Sequence, residues 1–414
     1  MTNRFTNIFL IVLCLSACDQ AKTEYILTEF EYESKVDTND HPIDLQEKKE
    51  YSTEAGVTAD NLFDAARLND FKETGANRFE VPIHPENSPI NMSPWYAFRI
   101  KAEEAKAIEI TLTYTEGIGK HRYWPRLSSD RENWMAIDSG RFVVAQDSLS
   151  ATMTIDVSTS PLFVAGQEII DSNDMKEWVL ARKSANVKTS TYGKSRLGRD
   201  LLRMDITNGK ADGKDIVILM SRQHPPEITG QLAMMHFLDE NLDGSELSND
   251  FLDNHRVIVY PMINPDGVDL GHWRHNEGGI DLNRDWAHYR QPEVRQVCED
   301  IIERVNESGG DVKLGLDFHS TWEDIYYIYN DDVISKIHGF SREWINDIYE
   351  RVPEDEGIID PFPVNSPVSK NWFYRQFNAE AITYEIGDGT SRELIKTKAE
   401  VGAQEMMKLL LEKY

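Results

Sequence analysis

Four short apolar runs, Ile216 to Met220, Val257 to Tyr260, Leu314 to Phe318 and Ile382 to Ile386, leave this chain few folds to choose from. Their length and β-branched content are those of strands buried on both faces, which is the pattern of a largely parallel sheet. Helical patterns lie between them, as in Ile228, Leu232, Met235 and Leu238 and in the segment Ser341 to Arg351. The alternation predicts an α/β unit over residues 166–414, a buried sheet covered by helices. Upstream the rhythm differs. Phe79 to Ile83, Trp95 to Ile100, Ile108 to Tyr114 and Thr152 to Val157 are short β-rich runs between turn residues, and predict a small all-β sandwich over residues 51–165. Residues 18–50 are polar and charged and read as a tether or an irregular arm, with poor order expected.

A length of 414 residues is compatible with two to three such units, and 40% hydrophobic with 10% aromatic content is globular. The net charge of −27 argues against nucleic acid, because a polyanion needs an excess of Lys and Arg on at least one face. It says little about substrate. After the N-terminus no stretch reaches the ~20 apolar residues of a membrane helix. The N-terminus itself is informative: Arg4 precedes the apolar run Ile8 to Leu15, the two parts of a secretory signal. Leu15-Ser16-Ala17-Cys18 then resembles the bacterial lipobox. The expectation is a signal peptide over residues 1–17, a lipid on Cys18 as the sole membrane contact, and residence in the bacterial cell envelope, on the periplasmic side. Asp19, by resemblance to enterobacterial sorting, favours the inner membrane. Cys298 would then be the one free thiol, and its place in an amphipathic helical pattern (Val294, Val297, Ile301, Ile302) marks it as a buried structural residue.

The residues that carry chemistry stand at the ends of the predicted strands, where α/β sheets put their ligands. His224-Pro225-Pro226-Glu227 follows the first run and precedes a helix. An imidazole and a carboxylate three positions apart can face one cation, and Zn²⁺ suits two His and one Glu with a position left for water. His319, directly after Leu314 to Phe318, is placed to be the third ligand. Such a metal needs a partner that takes a proton from water and passes it on, and Glu385, inside an apolar strand where a carboxylate must have a use, fits that task. Asn283 and Arg284 stand side by side, and a guanidinium is the group that grips a terminal carboxylate in bidentate fashion. Asn264-Pro265-Asp266-Gly267 reads as a turn leading to Arg274, which is placed to stabilise an oxyanion.

Taken in order, His224-x-x-Glu227, Asn264-Pro265-Asp266-Gly267, Arg274, Asn283-Arg284, His319 and Glu385 resemble the zinc metallocarboxypeptidase family over roughly residues 189–414. The resemblance implies a mixed sheet flanked by helices and one zinc ion on His224, Glu227 and His319. It implies Glu385 as general base, Arg274 on the scissile carbonyl, Asn283 with Arg284 on the terminal carboxylate, and a peptide with a free C-terminus as substrate. Trp95 to Ile100 and Arg122 to Asp130 look like the β-sandwich of cytosolic carboxypeptidases and their bacterial relatives.

The sequence departs from the pancreatic-type pattern at two places. The substrate-capping tyrosine falls at Pro363, leaving Tyr326 or Tyr327 as substitutes or the cap absent. The position that reads the terminal side chain is Lys370, whose ammonium calls for a carboxylate partner and so for C-terminal Glu or Asp, or a related γ-glutamyl or diaminopimelate bond. Two other readings compete: a zinc amidase acting on a cell-wall stem peptide or an N-acyl amino acid, and a catalytically silent binding lipoprotein.

Overall fold

The computed structural model describes residues 24–414; the expected signal peptide and Cys18 lie outside them. Residues 50–165 are almost entirely β. A six-stranded sheet and a five-stranded sheet face each other across a core that includes Phe98, Ile100, Ile110, Leu112, Met153 and Val164. The alternation along Lys106–Tyr114 and Ser150–Val157, every second residue buried, is what lets each strand give one side to this core.

The C-terminal unit is built on an eight-stranded sheet. Its strand order is Val187–Lys194, Asp200–Ile206, His255–Tyr260, Asp215–Ser221, Val312–Thr321, Glu380–Gly387, Ile325–Ile328 and Ile358–Pro361. The four central strands run parallel, and antiparallel neighbours flank them, so the sheet is mixed. All four apolar runs seen in the sequence are these central strands. Both of their faces are covered, which explains why they read as continuous rather than alternating. Val217, Leu219, Val257, Val259, Leu314, Leu316, Ile382 and Tyr384 pack on one side, where Ile228–Asn241, Phe340–Arg351 and Arg392–Glu412 lie. Ile216, Ile218, Met220, Ile258 and Ala381 pack on the other, beneath Pro292–Ser308 and Ser369–Phe377. Cys298 is buried in the first of these two helices.

Three expectations change. Residues 24–49 hold no helix or strand and form the irregular arm rather than the tether, but a docked one instead of the poorly ordered one expected: Phe30 and Tyr32 join the core beneath Pro292–Ser308, and Thr38 donates to Asp285 Oδ1 at 2.5 Å. Asn264 to Gly267 is not an open turn but the start of a short helix, Pro265–Asp269, because the Asn264 side chain accepts from Gly267 N–H and proline is tolerated in a first turn. His319 lies inside its strand, which runs on to Thr321. No helix of the described residues is long and apolar enough to cross a membrane.

Candidate active site

Two adjacent parallel strands set the centre of the site. In their register His319 lies opposite Glu385 and Asp317 opposite Thr383. Because side chains alternate, Leu316 and Phe318 enter the core of one face while Asp317 and His319 project from the other. His224 and Glu227 come from the loop between Asp215–Ser221 and Ile228–Asn241, with Glu227 at the cap position of the helix. That helix passes unusually close to the strand: a Cβ at Gly230 would stand 2.2 Å from the carbonyl oxygen of His319. Glycine there is what allows Glu227 to reach the strand end.

The result is a buried triad. His224 Nδ1 lies 2.8 Å from Glu227 Oε1, His319 Nδ1 lies 2.7 Å from Glu227 Oε2, and the two Nδ1 atoms are 3.2 Å apart. The ligand atoms of all three residues fall within 4.8 Å of one another. Each imidazole is oriented from behind by a carboxylate, His224 Nε2 by Asp281 Oδ1 at 2.8 Å and His319 Nε2 by Asp317 Oδ2 at 2.9 Å. Two imidazoles, one carboxylate and outer carboxylates that fix the ring orientation are a donor set suited to zinc.

Asp281 also accepts from Arg274 Nε at 2.9 Å, which brings the Arg274 guanidinium to 3.8 Å from Glu227 Oε1. Asn283 is pinned by Ser369 N–H, which donates to its Oδ1 at 2.9 Å. Arg284 is partly exposed, and its terminal nitrogen donates to the Asn283 carbonyl at 2.7 Å. Lys370 is buried, and Nζ donates to the carbonyls of Ile328 and Phe362 at 3.1 and 3.2 Å, over the Tyr329 ring. It has no ion-pair partner among the described residues. A single cavity of about 470 Å³ is lined by all eight residues anticipated for the site: His224, Glu227, Arg274, Asn283, Arg284, His319, Lys370 and Glu385.

Burial dominates the electrostatics. It pushes the Glu385 carboxyl up to about 7, with Glu227 adding to the rise while His319, Arg274 and Arg122 oppose it. Oε2 of Glu385 has no hydrogen-bond partner. Burial likewise lowers Lys370 to about 7, against the pull of Glu380 and Asp360. At Glu227 burial is outweighed by the His224 and His319 charges, which hold it well below the usual carboxylate range. For His319 burial loses to Asp317 and Glu227, and the imidazole rises well above its ordinary value.

Several residues at the site escaped the sequence reading. Asp317 is one whose signal was available, an acid two positions before His319 in an apolar run and hence on the same face. Asp281 was visible only as part of a motif. Tyr327, of the two tyrosines considered, lines the cavity, whereas the Tyr326 hydroxyl is buried on Asp355. Arg122, Asn91, Met92 and Ser93 reach the cavity from the β-rich region, and Arg122 Nε donates to Asp388 at 2.6 Å. No local pattern announces a wall supplied from so far along the chain.

The family model described as zinc carboxypeptidase, peptidase M14, matches residues 174–401. An uncharacterised protein of Zymomonas mobilis is 26% identical over 250 residues, covering 57% of this chain and 61% of that protein. Human cytosolic carboxypeptidase 2 is 37% identical over 139 residues, 32% of this chain and 15% of its own length. The chain thus spans less than two thirds of these relatives. Among solved structures, a metallo-carboxypeptidase from Burkholderia cenocepacia superposes with a TM-score of 0.72 at 17% identity, over 86% of this chain and 98% of the other. One from Pseudomonas aeruginosa, in complex with (2-guanidinoethylmercapto)succinic acid, gives 0.69 at 18%, over 86% and 99%. These two show a shared fold that extends beyond the C-terminal unit. With the family match covering more than half of its length, the chain belongs to the zinc carboxypeptidase family.

Proposed function

We propose that this protein is a zinc-dependent metallocarboxypeptidase that removes C-terminal residues from peptides. The observation that carries the reading is the convergence on one cavity of a buried His-Glu-His donor set, an unpartnered carboxylate and the guanidinium groups of Arg122, Arg274 and Arg284. His224, Glu227 and His319 would hold one zinc ion, which when bound supplies Lewis acidity to a carbonyl and makes water a nucleophile near neutral pH. Glu385, raised to about 7 by burial, accepts the proton from the attacking water and returns it to the leaving amine. Arg274 lies beside the triad and balances charge developing on the scissile carbonyl oxygen. Arg284, with Asn283, grips the free terminal carboxylate. Lys370, a cation without a counter-ion at the cavity wall, favours an acidic terminal side chain.

The test is release of the last residue from matched peptides ending in Glu, Lys or Phe, each with a free or amidated C-terminus. Expected is chelator-sensitive release of free terminal Glu, lost on the order of 10²- to 10⁴-fold in Glu385→Gln with metal content and melting unchanged. Metal-loaded protein that releases nothing from any of them would remove the reading and favour a cell-wall amide or a silent binder.

We also propose export and anchoring through a lipid on Cys18, on the strength of the lipobox-like Leu15-Ser16-Ala17-Cys18. Cys18→Ser should move the protein from the membrane to the soluble fraction of a bacterial host; unchanged fractionation would contradict the anchor.

A further inference from the structure

The loop that presents Arg274 is held from two sides, by the unit that carries the other site residues and by the β-rich region. Glu86, fully buried, accepts three successive backbone N–H groups: Trp273 onto Oε2 at 2.7 Å, Arg274 onto Oε1 at 3.0 Å and His275 onto Oε1 at 2.8 Å. Successive N–H groups form a natural anion cradle, and bonds to an ionised carboxylate are the strong kind. Further contacts hold the same segment. Arg67 donates to Gly271 O at 3.1 Å, Gln46 to Leu270 O at 3.0 Å, and Asn87 to Gly279 O at 3.1 Å. The Trp273 ring is buried against Gly119, where a Cβ would stand 2.8 Å from it. The His275 ring lies 3.3 Å from Glu86 and the Arg67 guanidinium adds positive charge nearby, so the carboxylate is held well below its ordinary range in spite of burial.

We propose that Glu86 is a positioning residue for Arg274, which makes the β-rich region a required part of the reacting site and not an accessory. The chain of contacts is continuous. Glu86 fixes the backbone of residues 273–275, that backbone aims Arg274 at Asp281, and Asp281 orients His224. The proposal rests on the reading of Arg274 as the carbonyl-polarising residue. It goes beyond that reading by assigning the geometry of this arginine to a carboxylate 188 positions away in sequence.

The test is a double-mutant cycle in the full chain. Glu86→Gln keeps the shape of the side chain but puts an amide donor against N–H donors. It is expected to lower kcat on the order of 10- to 100-fold with KM little changed, at unchanged zinc content. In an Arg274→Lys background the same substitution should cost less than about two-fold, because the arginine it positions is gone. A purely structural role would instead lower the melting temperature and leave kcat per folded molecule intact, and a role elsewhere than at Arg274 would lower kcat as much in the Arg274→Lys background as in the wild type; either result overturns the proposal. Should Glu86→Gln not fold, Gly119→Ala, which presses on Trp273, takes its place under the same criteria. Two readouts need no turnover: amide exchange at residues 273–275 and phenylglyoxal labelling of Arg274 should both accelerate in the variant. A wild-type protein that cleaves no peptide would defeat the peptidase reading alone, and unchanged exchange and labelling would then defeat the positioning role.

Discussion

Lys370 shows how a single residue ties stability to specificity. Its ammonium has two carbonyls and the Tyr329 and Phe362 rings for company and no ion-paired carboxylate, so burial lowers it to about 7. Between about 7 and its usual value near 10.5 the unfolded chain holds a proton that the folded chain has lost, so this group makes folding more favourable as pH rises through that window. Below about 7 both states are charged and the full desolvation cost remains. Lys370→Met should therefore stabilise the protein by on the order of a few kcal/mol at pH 6 and by distinctly less at pH 10. Urea unfolding at the two pH values measures the difference; equal effects would mean the ammonium is not desolvated. The same variant should lose preference for terminal Glu while keeping activity on terminal Phe. In the unmodified protein KM for Glu-ended peptides should rise as pH passes about 7, when the free lysine gives up its charge.

At the scale of elements, the N-terminal arm contributes more than its composition announces. Phe30 and Tyr32 enter the core beneath Pro292–Ser308, the Tyr289 hydroxyl donates to Thr28 O at 2.6 Å, and Gln291 donates to Thr38 O at 2.9 Å. Phe30→Ala should cost about 3 kcal/mol of unfolding free energy. A loss below about 0.5 kcal/mol would show the arm undocked in solution. The arm was illegible because two apolar residues among many charges carry no periodicity, and their partners lie some 250 residues downstream. The central strands were legible for the opposite reason: burial on both faces writes itself as an uninterrupted apolar run. The short helix at Pro265–Asp269 fell between these cases, since the same Asn-Pro-Asp-Gly residues serve a turn or a capped helix start, and only the Asn264 bond to Gly267 N–H decides. His224, Glu227, His319 and Glu385 stood out as polar groups within or just after apolar runs. Asp281 and Glu86 did not, because each acts through a backbone or a ring that sequence spacing does not bring near it.

For the molecule as a whole, one hydrophobic core runs from the β-rich region into the large sheet, joining Phe98 and Ile110 to Val217, Phe318 and Tyr384. Continuity of this kind predicts one cooperative transition for the full chain, with far-ultraviolet and tryptophan signals coinciding in urea. Two separated transitions would show the units to be independent, and would weaken the case for a wall shared across the cavity. The charge of −27 is carried on a surface rich in ion pairs, such as Arg182 with Asp239 and Arg141 with Asp156. Exposed pairs of this sort contribute little each.

The docking of the arm also sets a leash. The Tyr25 N–H donates to Asn306 Oδ1 at 2.9 Å, the Asn306 side-chain amide donates to Tyr25 O at 2.8 Å, and the Tyr25 ring meets Phe377. A lipid on Cys18, the proposed anchor, is then seven residue steps from a fixed point on the body, which at full extension spans about 25 Å. An enzyme held that closely would patrol a thin shell over the bilayer, and its substrates would be the peptide ends that come to the membrane rather than those free in the surrounding fluid.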